Sequence, residues 1–282
     1  MARSMPAATR GSLADLLVQR VRPLGSTLAR SYREAGPINH FVVDDTFPEP
    51  VARLLAERFP TARDMMRRST IRESKYVSSQ MDRHDPLIEE VTFAFQDRRF
   101  VALLSEITGI ADLAADPILY ASGLSLMRQG DFLHPHLDNS HDKDRERYRV
   151  LNVLYYVTPD WALDCGGNLE LWDRGPDGAQ RTIESRFNRL VCMTTHRGSW
   201  HSVSPVRVPR ERTCVSNYYF SGQPLGAGEY FHVTSFRGRP EQGLRDLVLR
   251  VDTMLRAAVR RVYRKGVVTP KHVYKKSSDS RS

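Results

Sequence analysis

The sequence predicts a mainly β, α+β protein: an antiparallel sandwich or jelly roll with flanking helices and a basic helix near its C-terminal end. Three observations carry this. From about residue 118, short runs rich in β-branched and aromatic residues follow one another: "ILYASGLSLMR", "RVLNVLYYVT", "GNLELWD", "RLVCMTTH" and "RTCVSNYYFSG". Gly, Pro, Asp and Asn punctuate them, the pattern of short strands joined by turns. Before residue 118 the apolar spacing is mostly helical, and beyond residue 242 it is helical again. A chain of 282 residues is long for one domain, but enzymes built on β-sandwiches or barrels reach this size, and no internal repeat divides it.

In chain order, residues 1–37 form an N-terminal helical extension. Leu13, Leu16, Leu17, Arg20 and Val21 give it an amphipathic pattern. The segment is Arg-rich with only Asp15 and Glu34 as acids, a composition shared with mitochondrial targeting peptides, but a plain amphipathic helix is the better reading. It lacks the compact apolar stretch of a secretory signal. "NHFVVDD" (39–45) reads as a short strand, and "PEPVARLLAERFP" (48–60) as a helix opened by prolines. Residues 61–85 are polar and without period, and are expected to form a loop that could face a substrate. Residues 86–110 read as helix, and the strands follow. The main domain would span 38–242, with its core at about 118–235. Residues 243–282 would be a basic amphipathic helix and a frayed tail after Gly266.

The net charge of +9 is concentrated. Residues 243–276 hold ten Lys or Arg and two acids, a net +8, so the rest of the chain is close to neutral. The repeat of Leu244, Leu247, Val248, Val251, Met254, Leu255, Ala258, Val259 and Val262 makes that segment an amphipathic helix. It could dock on the body with its basic face in water, or attach peripherally to an anionic membrane. Nucleic acid is an unlikely partner, because the basic charge lies outside the core. No apolar run reaches the ~18–20 residues of a membrane span. Three widely spaced cysteines, Cys165, Cys192 and Cys214, suggest a reducing, cytoplasmic setting. The oligomeric state is not readable.

The chemistry is concentrated in "GDFLHPHLDNSH" (130–141), which holds three of the nine histidines. On a strand, residues i and i+2 share a face, so His136 and Asp138 project together. One imidazole and one carboxylate are two-thirds of a 2-His-1-carboxylate facial triad, the site of non-haem Fe(II) oxygenases. By itself the pair is weak. "RGSWHSVSPV" (197–206) offers His201 as a third ligand, and eleven residues later Arg212 opens another strand. A guanidinium there can pair bidentately with the carboxylate of a dicarboxylic cosubstrate. The tight turn of "CGGNLELW" lies between the two halves.

In this arrangement, residues of about 120–221 resemble the catalytic core of the Fe(II)/2-oxoglutarate-dependent dioxygenases, most of all the prolyl-4-hydroxylase-like branch. "VLYYVTPDWALDCGGNLELW" (153–172) and "WHSVSPVRVPRERTCVSNYYF" (200–220) carry the likeness, and "INHFVVDDTFPEPVARLLAERF" adds the strand–helix entry common in such enzymes. The resemblance implies a double-stranded β-helix with helices packed on one side. It implies Fe(II) bound by His136, Asp138 and His201, and 2-oxoglutarate held by Arg212 and Tyr156. Leu169 and Val203 would line the cosubstrate pocket, and Tyr218 would face the site. It implies oxidative decarboxylation of 2-oxoglutarate by O2 to succinate and CO2, coupled to hydroxylation of an unactivated C–H bond, with ascorbate as a stimulant. Asp138 is retained, unlike in the halogenating relatives, so hydroxylation is the expected outcome; desaturation and ring closure stay open. Two positions depart from the branch: Met127 stands where a Tyr-x-x-Gly tyrosine is common, and Cys214 where serine is common.

Competing readings attach to several residues. His134 and His141 fit surface or substrate-loop roles better than ligation. His196 competes with His201, Arg210 with Arg212, and Tyr155 with Tyr156. A cupin-like metal-binding module would use "HPH" (134–136), but its expected upstream glycine is Arg128. A nucleic-acid demethylase of the same superfamily would need an arginine where Tyr218 stands. The substrate is not chosen by fold or triad. An amino acid, peptidyl proline, sugar or natural product fits, with a membrane-surface glycolipid or glycan as the alternative.

Overall fold

The structure, a computed structural model, describes residues 8–226, 228–262 and 273–276. The stretch read as a frayed tail therefore lies largely outside the described residues. Two N-terminal helices, α1 (Arg10–Val21) and α2 (Gly25–Glu34), lead into strand β1 (His40–Val43) and helix α3 (Glu49–Arg58). A hairpin follows, β2 (Met66–Ser69) and β3 (Glu73–Ser78), then helices α4 (Pro86–Ala94) and α5 (Arg98–Thr108). The strands after them are β4 (Ala114–Ala115), β5 (Gly123–Met127), β6 (Phe132–Leu137), β7 (Tyr148–Tyr156), β8 (Leu169–Leu171), β9 (Arg181–Ile183), β10 (Arg189–Thr194), β11 (His201–Val203), β12 (Arg212–Ser221) and β13 (Ser235–Phe236). The last element is helix α6 (Gly243–Val262).

The strands form one antiparallel sheet in the order β1-β10-β7-β12-β5-β3-β6-β11-β8-β9, with β13 added to β6, β2 to β3 and β4 to β12. Consecutive strands are rarely neighbours, as in a jelly roll. The sheet curls, because residues from β3, β5, β6, β7, β8, β11 and β12 all line one cleft.

Alternation along the central strands sorts the side chains. Leu151, Val153 and Tyr155 of β7 face outward and join Leu190, Val215 and Tyr219 in a core shared with the helices. Asn152, Leu154 and Tyr156 turn the other way, and all three lie on the cleft side; Asn152 and Leu154 line it, and Tyr156 packs with Leu169 and Cys214. Into the outer core α1 puts Leu13, Leu17 and Val21, α4 puts Ile88 and Val91, and α5 puts Phe100 and Leu104. Each such fully buried side chain contributes roughly 1.5–3 kcal/mol. The N-terminal helices are thus continuous with the main core.

The helical stretch at 86–110 is two helices. Asp97 interrupts it, accepting a hydrogen bond from Arg99 N and so capping α5, as Asp85 caps α4 through Leu87 N. The expected loop at 61–85 contains the β2–β3 hairpin. The reason it is invisible in the sequence is that β2 is solvent-facing on both sides, so it has no alternation to read.

Helix α6 reverses the usual arrangement. Among its described side chains, Leu249 is the one fully buried. Around it the helix meets the body through charge: Asp252 pairs with Arg72, Asp246 with Arg237, and Arg256 donates to Thr234 O at 2.7 Å. Of the apolar residues that the sequence predicts as a docking face, Leu244, Leu247, Val248, Val251, Met254, Leu255 and Val259 point to solvent.

Candidate active site

His136 and His201 are cross-strand partners in the β6–β11 ladder, and Asp138 follows directly on the end of β6. The imidazole centroids lie 4.1 Å apart. His136 Nε2 is 3.7 Å from Asp138 Oδ1, and His201 Nε2 is 3.7 Å from Asp138 Oδ2. These are too long for hydrogen bonds. The other ring nitrogens are occupied: His136 Nδ1 donates to His134 O at 3.0 Å and His201 Nδ1 to Ser199 O at 2.9 Å. Backbone carbonyls therefore fix both rings in the tautomer that leaves Nε2 as a lone pair facing Asp138.

The electrostatics suit ligands. Burial, reinforced by neighbouring His201, holds His136 down to about 3, so it is neutral at physiological pH. Burial works to raise the Asp138 carboxyl, but His201, Arg149 and His136 outweigh it and hold the group at about 2. Asp138 Oδ2 is buried without a hydrogen-bond partner. A buried anionic oxygen facing two imidazole lone pairs is the donor set of a divalent cation, and three ligand atoms, one per residue, lie within 4.8 Å of one another.

Arg212, the first residue of β12, is 3% exposed. Its guanidinium sits 4.7 Å from the Tyr156 ring centroid, and its Nε is 3.5 Å from Ser185 Oγ. Among the described residues no carboxylate pairs with it. The Tyr156 hydroxyl is buried with no hydrogen-bond partner, and burial pushes its pKa up to about 12. A cation and a hydroxyl, both buried and both in want of an acceptor, fit a carboxylate. Room for Arg212 comes from the Gly166–Gly167 turn. Both glycines have positive φ, and a Cβ at Gly167 would lie 3.3 Å from Arg212 Cγ.

The triad and Arg212 open into one cleft of about 800 Å³. Leu169 and Val203, partners across β8 and β11, line it, and so does Tyr218. Met127 lies opposite Arg212 in the β5–β12 ladder and also lines the cleft. Cys214 is fully buried opposite Ser125 and Tyr156. All three cysteines are free thiols and buried.

The competing residues lie elsewhere. His134 is buried beside Arg245 and does not join the ligand cluster. His141 bonds Ser140 Oγ and packs at a tilt against Tyr148. His196 reaches the Pro37 carbonyl and Gly198 N. Arg210 donates to the carbonyls of Pro159 and Asp160. Tyr155 sits in the outer core and donates to Asn188 Oδ1 at 3.0 Å.

Several cleft residues were not singled out from the sequence. Arg149 is buried, lies over the Tyr218 ring at 4.4 Å and approaches Asp138 Oδ1 at 3.5 Å. Phe236 stacks on His136 with a centroid separation of 5.3 Å. Lys75 and Val77 of β3, two apart, present one face of the hairpin to the cleft. The usable signal was position: Arg149 stands at the head of the apolar run that becomes β7.

Residues 122–220 match the family described as the 2OG-Fe(II) oxygenase superfamily. The chain carries a 2OG-Fe(II) oxygenase domain. No curated protein matches it. Among solved structures, a prolyl 4-hydroxylase from Phytophthora capsici is 18% identical with a TM-score of 0.53, over 93% of this chain and 80% of that one. The likeness is one of fold, and gives the oxygenase a double-stranded β-helix with flanking helices. A prolyl hydroxylase from Trichoplax adhaerens, solved with a hypoxia inducible factor peptide, is 18% identical at a TM-score of 0.45, over 75% of this chain and 90% of that one. HygX from Streptomyces hygroscopicus, solved with nickel, 2-oxoglutarate and hygromycin B, is 11% identical at 0.47, over 70% and 94%. The oxygenase is a 2-oxoglutarate-dependent dioxygenase.

Proposed function

We propose that this oxygenase hydroxylates an unactivated C–H bond of an amino acid, a peptidyl proline, a sugar or a natural product. His136, Asp138 and His201 would hold Fe(II), and Arg212 with Tyr156 would take the distal carboxylate of 2-oxoglutarate. The observation that carries this is the meeting, in one cleft, of two buried imidazoles on an unpartnered carboxylate oxygen with a buried guanidinium that has no acid of its own. Bound together, Fe(II), 2-oxoglutarate and O2 supply an oxidant for the C–H bond and release succinate and CO2.

The chain's own residues do the positioning. The carbonyls of His134 and Ser199 fix the imidazoles, and Arg149 keeps the Asp138 carboxylate ionised and oriented. Leu169 and Val203 make an apolar wall that would exclude water from the cosubstrate. On the substrate side, Lys75 and Arg68, both paired with Glu73, line a rim shared by hydroxyls such as Ser78 and Tyr120 and by apolar groups such as Met66 and Val77.

The test is succinate formation from 2-oxoglutarate with Fe(II), ascorbate and air and without substrate, wild type beside His136→Ala. Slow turnover in wild type alone is expected, and stimulation by added amino acids, peptides or sugars then identifies the substrate class. Equal succinate from both proteins would sink the assignment of the triad.

A further inference from the structure

Surface helices of globular proteins turn their apolar stripe inward. Helix α6 does the opposite. Leu244, Leu247, Met254 and Leu255 are 86%, 61%, 71% and 64% exposed, and Val248, Val251 and Val259 are exposed with them. With 3.6 residues per turn, these seven side chains fall within an arc of about 140° on one side of the helix. The opposite side is anchored by the buried Leu249 and by the pairs Arg72–Asp252 and Arg237–Asp246. The stripe is therefore held outward by a docked helix. An apolar patch of this extent calls for an occupant.

Charge selects among the occupants. Residues 243–276 carry a net +8, and Arg245 and Arg250 are exposed on α6 itself. A second copy of the chain, packed stripe to stripe, would bring two such segments together against their repulsion. An anionic surface gains from both the stripe and the charge, and a helix with this combination lies flat in a lipid interface.

We propose that α6 docks the enzyme peripherally on an anionic phospholipid bilayer through Leu244, Leu247, Val248, Val251, Met254 and Leu255. No helix among the described residues is long and apolar enough to cross a membrane, so the contact is interfacial. The body side of the same helix touches the cleft rim: Thr253 Oγ1 accepts from Phe236 N at 3.3 Å, and Arg256 holds the Thr234 carbonyl. Docking places that rim about one helix diameter, roughly 10 Å, from the lipid headgroups.

The test is sedimentation of the full chain with vesicles of phosphatidylcholine alone and of phosphatidylcholine with phosphatidylglycerol, at low and high salt. Two variants accompany it: the triple change Leu247→Glu, Val251→Glu, Leu255→Glu, and its uncharged counterpart with serine at the same positions. Expected are binding to the anionic vesicles only, weakening in high salt, and a drop on the order of a hundredfold in both variants, as follows from removing three apolar side chains from the interface. Unchanged circular dichroism and Mn(II) affinity would show that the variants are folded. The proposal is overturned if folded wild type binds neither vesicle, if the serine variant binds as well as wild type, or if sedimentation velocity shows a dimer that the variants dissolve.

Discussion

Replacing Arg212 by methionine should separate the two roles a buried arginine can have. Arg212 is 3% exposed, and its closest acceptor is a hydroxyl oxygen at 3.5 Å. A guanidinium in that state carries an uncompensated desolvation cost of several kcal/mol. The Tyr156 ring at 4.7 Å returns only about 0.5–2 kcal/mol of it as a cation–π contact. Methionine keeps the aliphatic stem that packs beside Gly167 and removes the charge. Stability of the free protein should therefore hold or rise by about 1 kcal/mol. Affinity for 2-oxoglutarate should fall, since a charged hydrogen-bonded pair contributes about 1.5–3 kcal/mol, or roughly 10–150-fold in Kd. Thermal protection follows: at 2-oxoglutarate a hundredfold above the wild-type Kd, wild type gains ~2.7 kcal/mol, and a variant weakened a hundredfold gains only ~0.4 kcal/mol. Calorimetric titration with Mn(II) under nitrogen, with thermal unfolding in the presence and absence of 2-oxoglutarate, reads both quantities. A variant destabilised by more than about 2 kcal/mol that still binds 2-oxoglutarate normally would refute the reasoning and make Arg212 a structural residue.

Asp138→Ala should abolish tight Mn(II) or Fe(II) binding, measured by equilibrium dialysis, with circular dichroism unchanged; retained binding would remove it from the ligand set. Gly166→Ala should unfold or severely destabilise the protein, because the new Cβ would sit 2.0 Å from Pro205 O at a residue with φ +72°, and a melting temperature within a degree of wild type would contradict that turn geometry. Leu249→Ala should loosen α6 by roughly 2–4 kcal/mol, seen as faster amide exchange confined to that helix. The metal-free protein should lose stability as pH falls from 7 to 5. His40, His84, His196 and His232 all have pKa values lowered, first by burial, so the unfolded chain takes up protons before the folded one does below pH ~6.5. A melting temperature that is flat over that interval would count against it.

The strands after residue 118 were legible because their runs are rich in β-branched and aromatic residues and are punctuated by Gly, Pro, Asp and Asn, a composition that burial on both faces of β7 and β12 requires. The ligand set was legible for a related reason: His136 and Asp138 need i, i+2 spacing to share a face, and that spacing survives in any register. The β2–β3 hairpin was hidden because Met66, Arg67 and Arg68 bury little, and the hairpin is set by pairing of β3 with β5 and β6. Arg149 opens the run "RVLNVLYYVT" that reads as a strand, but the charged residues before it gave no sign that this one is buried against Tyr218. The helical period of α6 was plain, but its orientation was not. Amphipathicity alone assigns the apolar side to the core, whereas the placement is decided by Arg72, Arg237 and Thr234, distant residues that supply partners for the polar side.

Strand β3 forms one wall of the cleft and is held on both edges, by β2 along one and by β5 and β6 in succession along the other. Tyr76, Val77 and Ser78 pair with β5, while Glu73 and Ser74 pair with β6. Swinging it aside would break these ladders at about 1 kcal/mol per backbone hydrogen bond, which leaves an opened form at roughly one molecule in several thousand. The slot is consequently shaped before anything enters it, and a candidate molecule is accepted or turned away by its outline. Diversification of such an enzyme would proceed residue by residue, at inward positions such as Lys75 and Val77, while the length and pairing of the strand stay fixed.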